Sequence, residues 1–415
     1  MILRAKIVLP VTAPPIEDGA VFIDAKTIRA VEPWRDLRPH MREKALDLGE
    51  VILLPGLVNA HCHLDYTDMA GELTPPKTFT DWIAAIIAHK SGWSYSDYAR
   101  SWLRGADQLL KSGATTVADT EVMPDLLPDV WNSTPLRIFS FLEMTGIRAG
   151  RPPGDILQAA IQTIESLSHP RNQAALSPHA PYSTRPELLE RTAAIAARRK
   201  WRVSIHVAES VEEFEMFMHA HGKMHDWLKR NERDNTDCGH GSPIAHLARH
   251  NLLGENVLAI HANCLAGGDA ALLANHKTHV VHCPRSHDYF KHPKFERDRL
   301  ARAGVNLCLG TDSLATTRKI GKQKSELDMF AEMRALLAAD NAVSPKTIVR
   351  MATVNGARAL GLAGKIGELS PQAHADLIAI PLPREKLRLH EAVLAHSGSV
   401  AASMIDGRWV IPPPS

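Results

Sequence analysis

The chain has 415 residues, of which 45% are hydrophobic and 23% are charged, and its 48 Lys and Arg residues against 46 Asp and Glu residues leave a formal net charge of +2. This composition is typical of a soluble globular protein, and it argues against a disordered chain and against a membrane protein. The near-neutral charge argues against nucleic acid and anionic membranes as partners, so we expect a small-molecule partner.

Two further features concern the cellular compartment. The five cysteines are scattered and contain no CxxC pair, which argues against a disulfide framework and against a thiolate zinc site. The apolar run near the N-terminus is broken by Pro10 and lacks the length of a secretory signal. These observations predict a cytoplasmic location.

The chain contains two kinds of sequence pattern, one in its two terminal segments and one in the long central segment. Segments 1–55 and 365–415 alternate like strands and contain turn residues but no long helices, and we expect them to pair into one composite β-sandwich domain. Segment 56–364 repeats a short apolar strand, a polar tip and a helix about eight times. The strand candidates are VILLPGLVNAHCH, ATTVADT, LRIFSFLEM, QAALSPH, WRVSIHVAES, VLAIHANCL, THVVHCP and GVNLCLGTDS. This α/β pattern predicts a parallel (β/α)8 TIM barrel, with an open doubly wound sheet as the alternative.

Two histidines end the first predicted barrel strand, in the stretch PGLVNAHCHLDYTD. Because successive side chains of a strand alternate between faces, His61 and His63 project together while Cys62 points away. Barrel enzymes carry their chemistry at this C-terminal mouth, where two adjacent imidazoles are suited to bind a divalent metal. The HxH motif alone is weak, and two polar loop residues are the alternative.

Three later strands also end in a polar residue. His206 lies in SIHVAES, His261 in AIHANCL and Asp312 in LGTDSLA. One buried polar residue is usually a satisfied core group, but several strand tips of one barrel that carry imidazole or carboxylate groups favour a metal site.

The phrases PGLVNAHCH, HVAES, IHANCL and LGTDS, in this order, resemble the amidohydrolase superfamily. They are most similar to its cytosine deaminase-like branch, which includes adenosylhomocysteine, guanine and aminodeoxyfutalosine deaminases and triazine chlorohydrolases. The resemblance covers nearly the whole chain, including the terminal β segments. It implies one divalent metal ion, held by His61, His63, His206 and Asp312.

The chemistry of these side chains agrees with that implication. Three imidazoles and one carboxylate suit Zn2+, with Fe2+ as the alternative. Binuclear members carry a carboxylated lysine at the fourth strand, where QAALSPHAPYS offers His179 and no lysine. A single metal ion is therefore expected.

The resemblance also implies catalytic roles. Glu209 would carry a proton from the activated water to a ring nitrogen of the substrate, and its alternative role is that of a carboxylate at a helix N-terminus. Asp312 would accept a proton from the water and pass it to the leaving group. His261 would hydrogen-bond the attacking water or the developing oxyanion, or act as a fifth metal ligand.

Three further residues are candidates for contact with the substrate, in addition to Glu209. His179 resembles a substrate-contacting histidine of the deaminases. Glu143, in FLEMTG, faces the same mouth, with an ion pair to an arginine as the alternative. Arg285, in HCPRSHDYF, has the geometry to hold a carboxylate or phosphate, with a purely structural loop as the alternative.

We therefore expect a metal-dependent hydrolase that deaminates an amino-substituted heterocycle, such as an amino-purine nucleoside, and releases ammonia. Adenosylhomocysteine-type relatives place a glutamate shortly after a tryptophan, whereas Trp82 is followed here by His89, Lys90 and Ser91. This departure argues against plain adenosine, and HCPRSHDYF is more similar to aminodeoxyfutalosine deaminases. Dechlorination or imino-group hydrolysis by the same metal is one alternative, and a non-catalytic scaffold is another. Similar proteins are often homodimers, so a homodimer stays open.

Overall fold

The computed structural model describes residues 1–147, 151–318 and 325–414. The strands are β1 Ile2–Val8, β2 Ile16–Asp24, β3 Thr27–Pro33, β4 Ala45–Asp47, β5 Val51–Pro55, β6 Leu57–Cys62, β7 Ala114–Glu121, β8 Arg137–Met144, β9 Gln173–Pro178, β10 Val203–Val207, β11 Val257–His261, β12 His279–His282, β13 Leu307–Leu309, β14 Leu377–Pro381, β15 Ala402–Ile405 and β16 Arg408–Ile411. The α-helices are α1 Pro39–Arg42, α2 Phe79–Lys90, α3 Tyr95–Lys111, α4 Leu127–Asn132, α5 Pro153–Ser166, α6 Pro186–Arg199, α7 Val211–His219, α8 Lys223–Arg230, α9 Pro243–Arg249, α10 Asp269–Asn275, α11 Pro284–Phe290, α12 Arg297–Arg302, α13 Met329–Ala339, α14 Pro345–Met351, α15 Val354–Ala359 and α16 Leu389–Ala395.

Strands β6 to β13 form one sheet in which neighbours follow the order of the chain and all pairs are parallel. A parallel bridge between Cys62 and Asp312 joins the two edges of this sheet. Most of these strands are buried along their whole length, as expected for strands covered on both faces. The predicted (β/α)8 barrel is confirmed.

The terminal strands form a second sheet, in the order β16-β15-β14-β5-β1-β2-β3, with β4 paired to β1. Strand β5 lies antiparallel to β14, so that Pro55 faces Leu377 in the register. The predicted pairing of the two terminal segments is confirmed, and their eight strands form one mixed sheet.

The predicted strand VILLPGLVNAHCH is two strands, because the chain passes from one sheet to the other at Gly56. A Cβ atom at this position would lie 2.1 Å from the Thr115 hydroxyl oxygen at the start of β7. A glycine is therefore required where the two sheets meet, and the strand leading to His61 begins only at Leu57.

A buried ion-pair network joins the barrel to the terminal sheet. Arg137, the first residue of β8, contacts the carboxylate oxygens of Asp376 at 3.1 Å and Asp406 at 2.7 Å. His374 lies 3.0 Å from Asp406. Although burial alone would raise the pKa of Asp406, the hydrogen bond from His374 and the charge of Arg137 hold it well below its usual value.

Capping groups set where some of the helices begin. Helix α3 starts with a capping box at Ser94. Helix α13 begins at Met329, because the Asp328 side chain accepts the Phe330 N–H at 2.8 Å and caps the helix.

None of the helices within the described part of the chain has the length and apolar character needed to cross a membrane.

Candidate metal centre and substrate cavity

Four side chains that the sequence predicts as metal ligands converge at the C-terminal ends of the barrel strands. His61 lies in β6, His63 follows it, His206 lies in β10, and Asp312 follows β13. The Nε2 atoms of His63 and His206 are 3.4 Å apart, and an Asp312 oxygen lies 3.6 Å from His61 Nε2 and 3.8 Å from His63 Nε2. All four side chains are buried.

These distances fit a shared divalent ion. Zinc bonds of about 2.0–2.1 Å place tetrahedral ligand atoms about 3.3–3.4 Å apart. The buried Nε2 atom of His61 has no hydrogen-bond partner, and the facing Nε2 atoms of His63 and His206 cannot both present lone pairs to each other favourably. A cation between these atoms would satisfy all three nitrogens.

Hydrogen bonds from neighbouring groups orient the potential ligands. His206 Nδ1 lies 2.9 Å from the backbone oxygen of His179, which fixes Nδ1 as the protonated nitrogen and leaves Nε2 free. The backbone N–H groups of Thr311 and Asp312 both donate to the His61 carbonyl, at 2.9 and 3.2 Å. The Asn59 side chain donates to the Thr311 hydroxyl at 2.7 Å. Strands β6 and β13 are thus locked together beneath the site.

The electrostatics keep these groups in the protonation states that bind metal. Burial, and next the neighbouring His61, lower the pKa of His206 to about 3 and that of His63 well below its usual value. Burial opposes the ionisation of Asp312, but His61, whose Nε2 atom lies 3.6 Å from the carboxylate, and the nearby His261 and His63 hold its pKa well below the usual value. Neutral imidazoles and an ionised carboxylate are the forms that bind a cation.

The backbone is strained at two strand ends of the site. His261 has a φ of 73° and Asp312 a φ of 54°, values that non-glycine residues rarely adopt. Gly310 allows the close approach that supports this arrangement, since a Cβ atom there would lie 2.8 Å from the His61 carbonyl oxygen and 2.9 Å from its Cβ.

Glu209 and His261 face each other beside the potential ligands. A Glu209 carboxylate oxygen lies 3.5 Å from His261 Nε2, and both side chains are buried. Burial raises the pKa of Glu209 well above its usual value, and the charges of Asp312 and Glu213 add to this effect. The Glu209 N–H donates to Glu213 at 2.8 Å, which holds the backbone of this segment.

A cavity of about 460 Å³ opens over this group. Of the residues predicted to bind metal, act in catalysis or contact substrate, it is lined by His63, Glu143, His179, His206, Glu209, His261 and Asp312. Its apolar wall includes Tyr66, Trp82, Ile86, Ile147, Tyr182 and Trp227. Aromatic walls with a few convergent polar groups are typical of a small-molecule binding site.

Arg285 does not lie in this cavity. Its guanidinium pairs with Glu332 at 2.5 Å and donates to the Glu326 carbonyl at 2.9 Å, and the residue lines a separate cavity of about 960 Å³. The contact of Arg285 with the substrate stays a prediction, and in the structure its carboxylate partner comes from α13 of the same chain.

Several residues of the site escaped the sequence analysis. Asp119, at the end of β7, accepts the Leu64 N–H at 2.9 Å and the Trp102 indole N–H at 3.0 Å, and so anchors the turn after His63. Tyr66 stacks nearly parallel to His63, with 5.4 Å between ring centroids. Neither Asp119 nor Tyr66 belongs to a sequence motif that would mark it as part of the site.

Comparison with known proteins decides the family to which this site belongs. The profile of the amidohydrolase family matches residues 52–410. The chain belongs to the amidohydrolase family. This amidohydrolase is 30% identical over 416 residues to a 5-methylthioadenosine/S-adenosylhomocysteine deaminase of Syntrophobacter fumaroxidans, across 95% of this chain and 88% of the relative.

Two solved structures share the fold. An adenosine deaminase of Xanthomonas campestris, with bound zinc, superposes with a TM-score of 0.84 at 24% identity, across 98% of this chain and 92% of that one. An aminofutalosine deaminase of Helicobacter pylori, in complex with methylthio-coformycin, gives a TM-score of 0.85 at 21% identity, across 99% of this chain and 100% of that one.

Proposed function

We propose that this amidohydrolase deaminates an amino-substituted heterocycle of the purine-nucleoside type, with one divalent metal ion, Zn2+, held by His61, His63, His206 and Asp312. The observation that carries the proposal is the convergence of three imidazoles and one carboxylate from the ends of β6, β10 and β13 beneath an aromatic cavity. The curated relative that acts on 5-methylthioadenosine and S-adenosylhomocysteine supports the same reaction class.

A divalent ion at these ligands, when bound, polarises a water molecule and brings its pKa towards about 7. The chain's own residues then account for the proton transfers. The pKa of Asp312 is held well below its usual value, which favours the ionised carboxylate. This carboxylate accepts a proton from the water molecule as the water oxygen attacks the carbon that carries the amino group.

Glu209 is suited to the complementary step. Burial raises its pKa well above the usual value and so favours the protonated form, which donates its proton to the ring nitrogen as the carbon becomes tetrahedral. Asp312 returns its proton to the amino group, the carbon–nitrogen bond breaks, and one ammonia leaves for each water consumed. The remaining proton of the attacking water passes from the new hydroxyl group to Glu209, which restores the carboxyl group for the next turnover. His261, 3.5 Å from Glu209, hydrogen-bonds the developing oxyanion.

His179 and Glu143 complete the proposed substrate contacts. The Nδ1 atom of His179 lies 2.6 Å from the Ser183 hydroxyl, and burial, with the charge of Lys90 next, lowers the pKa of this histidine to about 3. A neutral His179 fixed in this way offers Nε2 to the cavity as a hydrogen-bonding group.

The test is ammonia release from a panel of amino-purine and amino-pyrimidine nucleosides by metal-replete protein, together with metal analysis. His206→Ala should lose bound metal and activity together, whereas His276→Ala, at an exposed position, should change neither. A metal-replete protein that releases no ammonia from the panel contradicts the proposal. A His206→Ala variant with unchanged metal content would instead indicate a non-catalytic scaffold.

A further inference from the structure

The backbone of Glu209 is held by side chains from two other segments. Strand β10 ends at Val207 and helix α7 begins at Val211, so Glu209 lies in the connection between them. Its N–H donates to Glu213 at 2.8 Å, and its carbonyl oxygen accepts a hydrogen bond from Asn263 Nδ2 at 3.0 Å. The direction in which the Glu209 carboxyl group points therefore depends on these two side chains.

The residue before Glu209 has a strained backbone. Ala208 has a φ of 52°, in the left-handed region that alanine rarely adopts and that persists only where the surrounding structure holds it. The Ala208 carbonyl oxygen accepts the N–H groups of Asn263 and Cys264, at 2.9 and 3.0 Å. The segment that follows β11 thus holds the connection to Glu209 through its main chain and through the Asn263 side chain.

Asn263 is in turn oriented by His287, the second histidine of HCPRSHDYF. The Nδ1 atom of His287 lies 3.0 Å from Asn263 Oδ1. Because the amide nitrogen of Asn263 donates to Glu209, its amide oxygen faces His287, and an amide oxygen can only accept. The hydrogen between them therefore belongs to His287 Nδ1. Burial lowers the pKa of His287, which favours the neutral ring with its single hydrogen at this nitrogen.

Neither side chain belongs to the substrate cavity. The described residues that line that cavity do not include Asn263 or His287, and His287 lines the separate cavity beside Arg285. Asn263 is buried. The contact that connects this pair to the proposed reaction is the hydrogen bond to the Glu209 backbone.

We infer that Asn263 and His287 are positioning residues, which fix the carboxyl group of Glu209 beside the metal-binding residues through the hydrogen bonds from His287 to Asn263 and from Asn263 to the Glu209 carbonyl. This inference rests on the proposed function, in which Glu209 transfers a proton. It adds two residues that act on the reaction without contact to the substrate. A displacement of about 1 Å at a reacting group can cost about 100-fold in rate.

The test compares His287→Asn with His287→Leu. Asparagine places an N–H donor where Nδ1 of the histidine lies, whereas leucine has nearly the same shape as asparagine and no donor. Both variants lose the ring, so their difference reports the hydrogen bond alone. The kcat of His287→Leu should be about 10- to 100-fold below that of His287→Asn, with the same KM and the same metal content in both.

Two controls accompany this comparison. The same exchange at the exposed His276, to asparagine or to leucine, should leave kcat unchanged. Asn263→Leu removes the donor to Glu209 itself and should cause the same loss as His287→Leu, so it replaces that variant if melting curves show that His287→Leu is unfolded.

A double-mutant cycle separates positioning from a role in folding. In a Glu209→Gln background, His287→Leu should cost little further activity, because the acidic group that it positions is absent. A role confined to folding would lower kcat by the same factor in both backgrounds, and that result would overturn the inference.

Crystal structures of the metal-loaded variants give a readout that does not depend on turnover. The Glu209 carboxyl group should move by about 1 Å in His287→Leu and stay in place in His287→Asn. This movement, in a protein whose wild type releases no ammonia, contradicts deamination and supports the positioning role. An unmoved Glu209 in folded His287→Leu, or an equal kcat in the asparagine and leucine variants of an active enzyme, overturns the positioning role.

Discussion

Replacing Glu209 by glutamine tests the proposed proton transfer, because it removes the acidic group and leaves the other groups of the site unchanged. Glutamine has nearly the same shape, so the packing of this buried side chain, 6% exposed, should be kept. It cannot release a proton, and loss of general acid–base catalysis costs about 10²- to 10⁴-fold in rate, or about 3–5 kcal/mol in the activation barrier. We expect kcat to fall by this factor.

The same variant should keep its metal, because Glu209 is outside the proposed ligand set. The assay combines kcat and KM for ammonia release with metal content, and Glu215→Gln, on the helix that follows, is the matched control because this residue does not line the cavity. A Glu209→Gln enzyme that retains more than about a tenth of wild-type kcat would refute the assigned role. Loss of metal from this variant would show that the carboxylate acts on the metal site.

Three further outcomes are expected. Gly310→Ala should lower metal occupancy and activity together, since the added Cβ would displace the first metal-binding strand, while Gly267→Ala, with open space around it, should leave both unchanged in metal analysis and rate assays. Arg137→Met should destabilise the fold by about 3–5 kcal/mol in urea unfolding, because Asp376 and Asp406 both lose a buried positive charge, whereas Arg199→Met, in an exposed pair, should cost less than about 1 kcal/mol. The stability contributed by Asp406, whose pKa is lowered in the fold, is present above about pH 4 and lost as the pH falls below it, so an Asp406→Asn variant should show a weaker dependence of unfolding free energy on pH in this range.

The sequence alone predicted the barrel strands and the side chains that project from their ends. The apolar strands identified the barrel, and the alternation rule placed His61 and His63 on one side, because both signals are local in the chain. Contacts between distant segments were beyond such rules. Arg285 pairs with Glu332, which is 47 residues away, and Lys90 reaches the cavity only because α2 folds over Tyr66. The division of the proposed domains near residues 55 and 365 stays a prediction.

The pairing of β5 with β14 and the contacts of Arg137 join early segments of the chain to late ones, so these contacts form late in folding. Asp376 lies 239 residues after Arg137, and Asp406 lies 269 residues after it. The strands that are synthesised first therefore lack these partners until nearly the whole polypeptide has been made. During that interval the edge of β5 lacks its native neighbour, and unpaired edges are sites of aggregation. Completion of the composite sheet is therefore a late step in folding, because β14 can pair with β5 only after it has been synthesised.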